Sequence, residues 1–161
     1  MDKELKILFV CTGNTCRSSM AEAIAKQKLK EMHLKPEELA KIKIMSAGTM
    51  AFPGCPASPK AAKVLKEKNI DLSGHKSQRI SPEMLGEADY IFTMTIIQKQ
   101  QVLFLNPAAE GKTYTLMEFA YPNSSMDLNI DDPFGGDEEC YLKCAYQLEE
   151  AIVKVLERII K

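Results

Sequence analysis

The segment LKILFVCTGNTCRSSMAEAIAKQKLKEM, residues 5–32, changes its periodicity halfway along and so decides the fold. Leu5, Ile7, Leu8, Phe9 and Val10, interrupted only by Lys6, read as a mostly buried strand over 5–10. From Ser18 onward the apolar residues recur at helical spacing. Ala21, Ile24, Ala25, Leu29 and Met32 form a stripe with lysines and glutamates opposite. Between strand and helix lies CTGNTCRSS (11–19), with two cysteines, an arginine and four hydroxyl residues in nine positions. That composition builds a poor core but a good anion site.

A strand ending at Cys11 and a helix starting at Ser18 force the intervening TGNTCR to curl, and Gly13 permits the backbone angles of a curl. Successive N–H groups in such a turn converge on an anion, reinforced by the helix N-terminus. Thr12, Gly13, Asn14, Thr15, Cys16 and Ser18 are therefore the candidate phosphate-binding positions. Arg17 adds a planar fork that fits two phosphate oxygens. The same positive field favours a thiolate over a thiol, which makes Cys11 a candidate nucleophile facing Arg17 across one phosphate. The loop is not of the Walker type, because no Gly-Lys-Ser/Thr follows.

The 161 residues suit a single domain, 1–161, and 45% hydrophobic with 27% charged residues is ordinary for a globular protein. A net charge of −1 gives no reason to expect nucleic acid or an anionic membrane as partner. No apolar run approaches the ~18 residues of a membrane span, and MDKELKILFV lacks a secretory pattern, so the cytoplasm is the expected compartment. Five cysteines (Cys11, Cys16, Cys55, Cys140, Cys144) are an odd number that argues for free thiols. With two separated histidines and no Cys-x-x-Cys pair, neither a metal nor another cofactor is expected.

Downstream, Pro36 ends or restarts the first helix, and IKIMSAG (42–48) is a short strand. Ser58-Pro59 marks an N-cap and a helix running to Asn69, and Ser81-Pro82 starts another helical turn. ADYIFTM (88–94) reads as a third strand, IIQKQQVLFL (96–105) as a helix and KTYTLM (112–117) as a fourth strand. YPNSSMDLNIDDPFGG (121–136) is a long polar loop, a length that usually signals function. A last helix begins at Asp137 and buries Tyr141, Ala145, Leu148, Ile152, Val155, Leu156 and Ile159. Alternation of strands and helices predicts an α/β fold with a mainly parallel sheet and helices on both faces. Its ligand site belongs at the carboxyl ends of the strands, where Cys11 falls. A thiolate attack needs a proton donor for the leaving group, and the acidic pair in DDPFGG is the best candidate.

The strings VCTGNTCRSSMAE, SAG, GHKS, DYIFTM and DPFGG, in this order, resemble the low-molecular-weight phosphotyrosine phosphatase family across essentially the whole chain. The resemblance implies a single-domain three-layer α/β/α fold with a four-stranded parallel sheet and a phosphate-binding loop between strand one and helix one. It implies a metal-free reaction through a cysteinyl-phosphate. Cys11 would be the nucleophile, Arg17 the phosphate clamp and Asp132 the acid, then the base that activates water. Asn14 would hold the loop's shape, Ser18 would donate to the sulfur, and Ser46 and His75 would brace the loop. The expected partners are phosphorylated proteins, for a chain that is a monomer or weak dimer.

Thr15 replaces the aliphatic residue usual in tyrosine-directed members, Phe134-Gly135 replaces two aromatics, and Thr95 stands where many carry an acid. Thr15 and Phe134 are thus the specificity candidates, and the pattern is similar to the bacterial protein arginine phosphatase branch, with protein tyrosine phosphatase as the alternative. A planar, cationic phosphoguanidinium suits a roomier wall than a phenyl ring, and Gly135 would open one; Asp131 is a candidate to attract the cation. Arsenate reductases share the first loop but need two more cysteines mid-chain, and none lies between Cys55 and Cys140. Whether Cys16 traps an oxidised Cys11 as a disulfide stays open.

Overall fold

Strand β1 (Leu5–Cys11) is central, and its side chains alternate between two cores. The computed structural model describes residues 3–160; Met1, Asp2 and Lys161, the ends of the expected 1–161 domain, lie outside the described residues. Ile7, Phe9 and Cys11 face one core, and Leu8 and Val10 face the other. Strands β2 (Ile42–Gly48), β3 (Tyr90–Thr93) and β4 (Thr113–Thr115) join it in the order β2-β1-β3-β4, every pair parallel. The register places Cys11 beside Gly48, Val10 beside Thr93 and Thr93 beside Thr115, so the carboxyl ends of all four strands open on one edge.

Helices α1 (Arg17–Glu31), α2 (Pro36–Leu39), α3 (Pro59–Glu67), α4 (Pro82–Glu87), α5 (Ile96–Leu105), α6 (Leu116–Ala120) and α7 (Glu138–Ile159) complete the chain, with a 3-10 turn at Pro107–Lys112. The larger core joins α1, α3, α6 and α7 through Met20, Ile24, Leu65, Leu116, Leu148 and Ile152. The smaller core holds Leu85 of α4 and Val102 of α5 against Leu8, Val10 and Ile91. The molecule is the expected three-layer α/β/α arrangement. Among the described residues no helix is long and apolar enough to cross a membrane.

Four local expectations need correction. The fourth strand is only Thr113–Thr115, because Thr115 and Glu118 form a reciprocal cap that starts α6 inside the segment expected to stay extended. Helix α3 ends at Glu67 rather than Asn69, which has a left-handed φ of 63°. Ser58 stands at the N-cap of α3, yet its side chain does not cap the helix. Ile159 is half-buried rather than buried.

Candidate active site

Cys11 closes β1 and Arg17 opens α1, and both are buried. The turn between them is made by Asn14, not by Gly13. Asn14 has a φ of 58°, in the left-handed region that asparagine tolerates better than most residues, whereas Gly13 is not among the positive-φ residues. Glycine is required instead at Gly48. A Cβ there would lie 2.3 Å from the Thr12 carbonyl oxygen, so only a bare backbone lets β2 lie against the loop. Thr49 and Met50 then donate their N–H groups to the carbonyls of Cys11 and Thr12.

A chain of hydrogen bonds reaches the sulfur. The Ser46 hydroxyl donates to Glu22 Oε1 at 2.6 Å and accepts from Asn14 Nδ2 at 2.9 Å. The orientation of that amide is fixed by Gln78 N–H, which donates to Asn14 Oδ1 at 2.9 Å. The second Nδ2 hydrogen goes to Ser18 Oγ at 2.8 Å. Ser18 Oγ in turn lies 2.9 Å from Cys11 Sγ and 3.4 Å from the Ala47 carbonyl oxygen, to which it can donate. Asn14 N–H also donates to Sγ, at 3.3 Å. His75 Nε2 lies 2.6 Å from the Asn14 carbonyl; a carbonyl only accepts, so this nitrogen carries the proton. Ser46 and His75 both contact the loop through Asn14.

Arg17 is held by the loop that carries Asp132. Its Nη1 donates to the Ile130 carbonyl at 3.0 Å, and its Nη2 lies 3.5 Å from Asp132 Oδ2. Asp132 is half exposed, and its Oδ1 accepts from Phe134 N–H at 3.1 Å, forming a local turn. Gly135 has a φ of 83°, so glycine there answers a backbone requirement as well as leaving space. Thr12 accepts from Gln98 Nε2 at 3.1 Å. Thr95 caps α5, its hydroxyl accepting from Gln98 N–H at 3.1 Å.

Thr15 is partly exposed beside buried Cys16, whose Sγ lies 3.5 Å from the Tyr141 hydroxyl. Around the mouth, Met50, Phe52 (81% exposed) and Phe134 (76% exposed) stand clear of the core. Cys140 is exposed, while Cys144 is buried and its thiol is pushed up to about 12 by burial, against the charge of Arg17. Such a thiol is inert at neutral pH.

Four contributors escaped the reading of the sequence. Glu22 follows Ser18 by one helical turn, a spacing that could have been noticed; Gln78, Gln98 and Tyr141 carry no local signal. Asp131 is exposed and stands next to Asp132 without joining the Arg17 contact.

The fold and the site together define a class, the cysteine-dependent protein phosphatases. The model of the family described as low molecular weight phosphotyrosine protein phosphatase matches residues 6–161, and the chain belongs to this family. It is 38% identical to a protein-arginine-phosphatase of Geobacillus stearothermophilus over 96% of this chain and 95% of that one. It is similar in structure to a YwlE arginine phosphatase mutant with a phosphorylated active-site serine, at a TM-score of 0.87, 34% identity and coverage of 98% and 97%. It is also similar to a low molecular weight protein tyrosine phosphatase from T. tengcongensis, at a TM-score of 0.86, 35% identity and coverage of 97% and 100%.

Proposed function

We propose that the chain is a protein arginine phosphatase that works through a cysteinyl-phosphate. The observation that carries the chemistry is the pair of contacts joining Arg17 to Ile130 and Asp132, which brings the carboxyl group to the guanidinium that ends the Cys11 loop. In the first step Cys11 Sγ attacks phosphorus, an S–P bond forms and the P–N bond to the substrate guanidino group breaks. Asp132 gives its proton to the departing nitrogen. In the second step the Asp132 carboxylate takes a proton from water as the water oxygen attacks phosphorus. The S–P bond then breaks and inorganic phosphate leaves. Arg17 and the turn 12–16 bind the phosphoryl oxygens throughout, and the Ser18 proton stabilises the sulfur when it leaves.

The preference for phosphoarginine rests on Thr15, on the single aromatic Phe134 and on the likeness to proteins named arginine phosphatases. The exposed rings of Phe52 and Phe134 favour a second reading, phosphotyrosine, because they offer apolar walls for a phenyl group. As a single unit with free cysteines, working in the cytoplasm as a monomer or weak dimer, the chain would meet phosphoproteins in either case.

The test is kcat/KM on phosphoarginine and phosphotyrosine for the wild type and for Thr15→Ile. The wild type is expected to prefer phosphoarginine. Thr15→Ile keeps the β-branch, removes a polar contact and adds apolar surface, so the ratio should move toward phosphotyrosine about tenfold, which is ~1.4 kcal/mol. A wild type that already prefers phosphotyrosine would overturn the arginine reading.

A further inference from the structure

Ser58 breaks a local rule. Serine before proline at a helix start normally caps the helix, yet the Ser58 hydroxyl leaves the end of α3 uncapped. It donates instead to the Tyr141 hydroxyl at 3.2 Å. Tyr141 is 2% exposed, in the first turns of α7, so its own proton must find a buried acceptor. With its oxygen already receiving the Ser58 hydrogen, that proton is directed to Cys16 Sγ at 3.5 Å. Ser58 also holds the adjoining residue, its backbone N–H donating to the Thr15 carbonyl at 2.9 Å. The Thr15–Cys16 corner is therefore gripped from α3 and from α7, and α7 is the helix that follows the Asp132 loop.

We propose that Tyr141, with Ser58, is a positioning device that sets the Thr15–Cys16 corner of the phosphate loop and through it the discrimination between phospho-residues. The inference rests on residues 11–18 forming the phosphate loop. Tyr141 does not touch substrate; it fixes where the Thr15 side chain stands relative to the phosphorus and couples that placement to the start of α7. The sequence had marked Tyr141 only as part of a buried helical face.

Tyr141→Phe keeps the buried ring and removes the hydroxyl, Ser58→Ala removes the other partner, and the double variant removes both. Four quantities decide: thermal stability, the Kd for orthovanadate, kcat/KM on a small aryl phosphate, and the phosphoarginine-to-phosphotyrosine ratio. Each single variant is expected to weaken vanadate binding and aryl phosphate turnover by about tenfold and to shrink the ratio severalfold, with the double variant no worse than either single. Should Tyr141→Phe fail to fold, Ser58→Ala reads the same bond from the surface side. A fall in Tm with vanadate binding, turnover and ratio all unchanged overturns the proposal and leaves Tyr141 as packing only. A wild type that prefers phosphotyrosine defeats the arginine reading alone, since vanadate and aryl phosphate still test the clamp.

Discussion

Asp132 and Asp131 are neighbours in sequence with different surroundings. Only Asp132 reaches Arg17, at 3.5 Å, and only its carboxyl group is turned back by Phe134 N–H. Asp132→Ala should therefore lower kcat on an alkyl or guanidino leaving group by ~100-fold or more, and Asp131→Ala should change it little. The loss should shrink on an aryl phosphate whose leaving group needs no proton; equal losses from both variants would move the acid elsewhere. Cys11→Ser should abolish turnover while phosphate binding, measured by calorimetry, persists, because the donors of residues 12–17 remain. Turnover that survives would refute the covalent route. Cys11 and Arg17 stand out in the sequence because a spacing marks them, and the Asp131–Asp132 pair because a turn motif does, while the choice of Asp132 comes from the family resemblance. Glu22, Gln78, Gln98 and Tyr141 were not, because their partners lie up to 125 residues away and a polar helical residue resembles a solvated face.

Elements were legible where a periodic stretch ran long. Strand β1, strand β2 and helix α5 fall within a residue of their expected bounds, since apolar spacing and flanking turn residues agree there. The misreading at β4 came from a threonine-rich apolar stretch that suits a strand, while the Thr115–Glu118 reciprocal cap redirected it into α6. Likewise conformational freedom favours Gly13 for the loop's curl, and Asn14 makes it instead, its amide engaged in three hydrogen bonds. Thr95 belongs to the same scale: it caps α5 in a reciprocal arrangement with Gln98. Thr95→Ala should cost about 1 kcal/mol, visible as a few degrees in Tm. The phosphoarginine-to-phosphotyrosine ratio should stay unchanged, and a shifted ratio would give Thr95 a direct part in substrate choice.

Three helices of the larger layer are tied at one carboxylate. Glu149 of α7 lies 2.9 Å from Lys28 of α1 and 3.2 Å from Lys68, the C-cap residue of α3. Burial pushes the Glu149 carboxyl up, but hydrogen bonds and charge from the two lysines outweigh it, and its net displacement is downward. Lys28 is displaced upward, chiefly by its hydrogen bond to Glu149. A carboxyl lowered on folding stabilises the native state above its unfolded pKa of ~4.3 and loses that contribution as pH falls through the folded value. Glu149→Gln should then lower stability by about 1 kcal/mol at pH 7, with wild type and variant converging in strong acid; a difference independent of pH would assign the effect to packing. The outer rim behaves in the opposite way. Met50, Phe52 and Phe134 carry little of the core, and substitutions at such exposed positions usually stay within about ±0.5 kcal/mol. Asn14 and Ser18 of the loop, by contrast, are tied to each other, to Ser46, His75 and Gln78, and through Ser46 to Glu22, and tolerate little. For a lineage under selection this means that taste can drift while the reaction stays put: the side chains of Thr15 and Phe134 lie outside that network and can change without disturbing the groups that support the thiol.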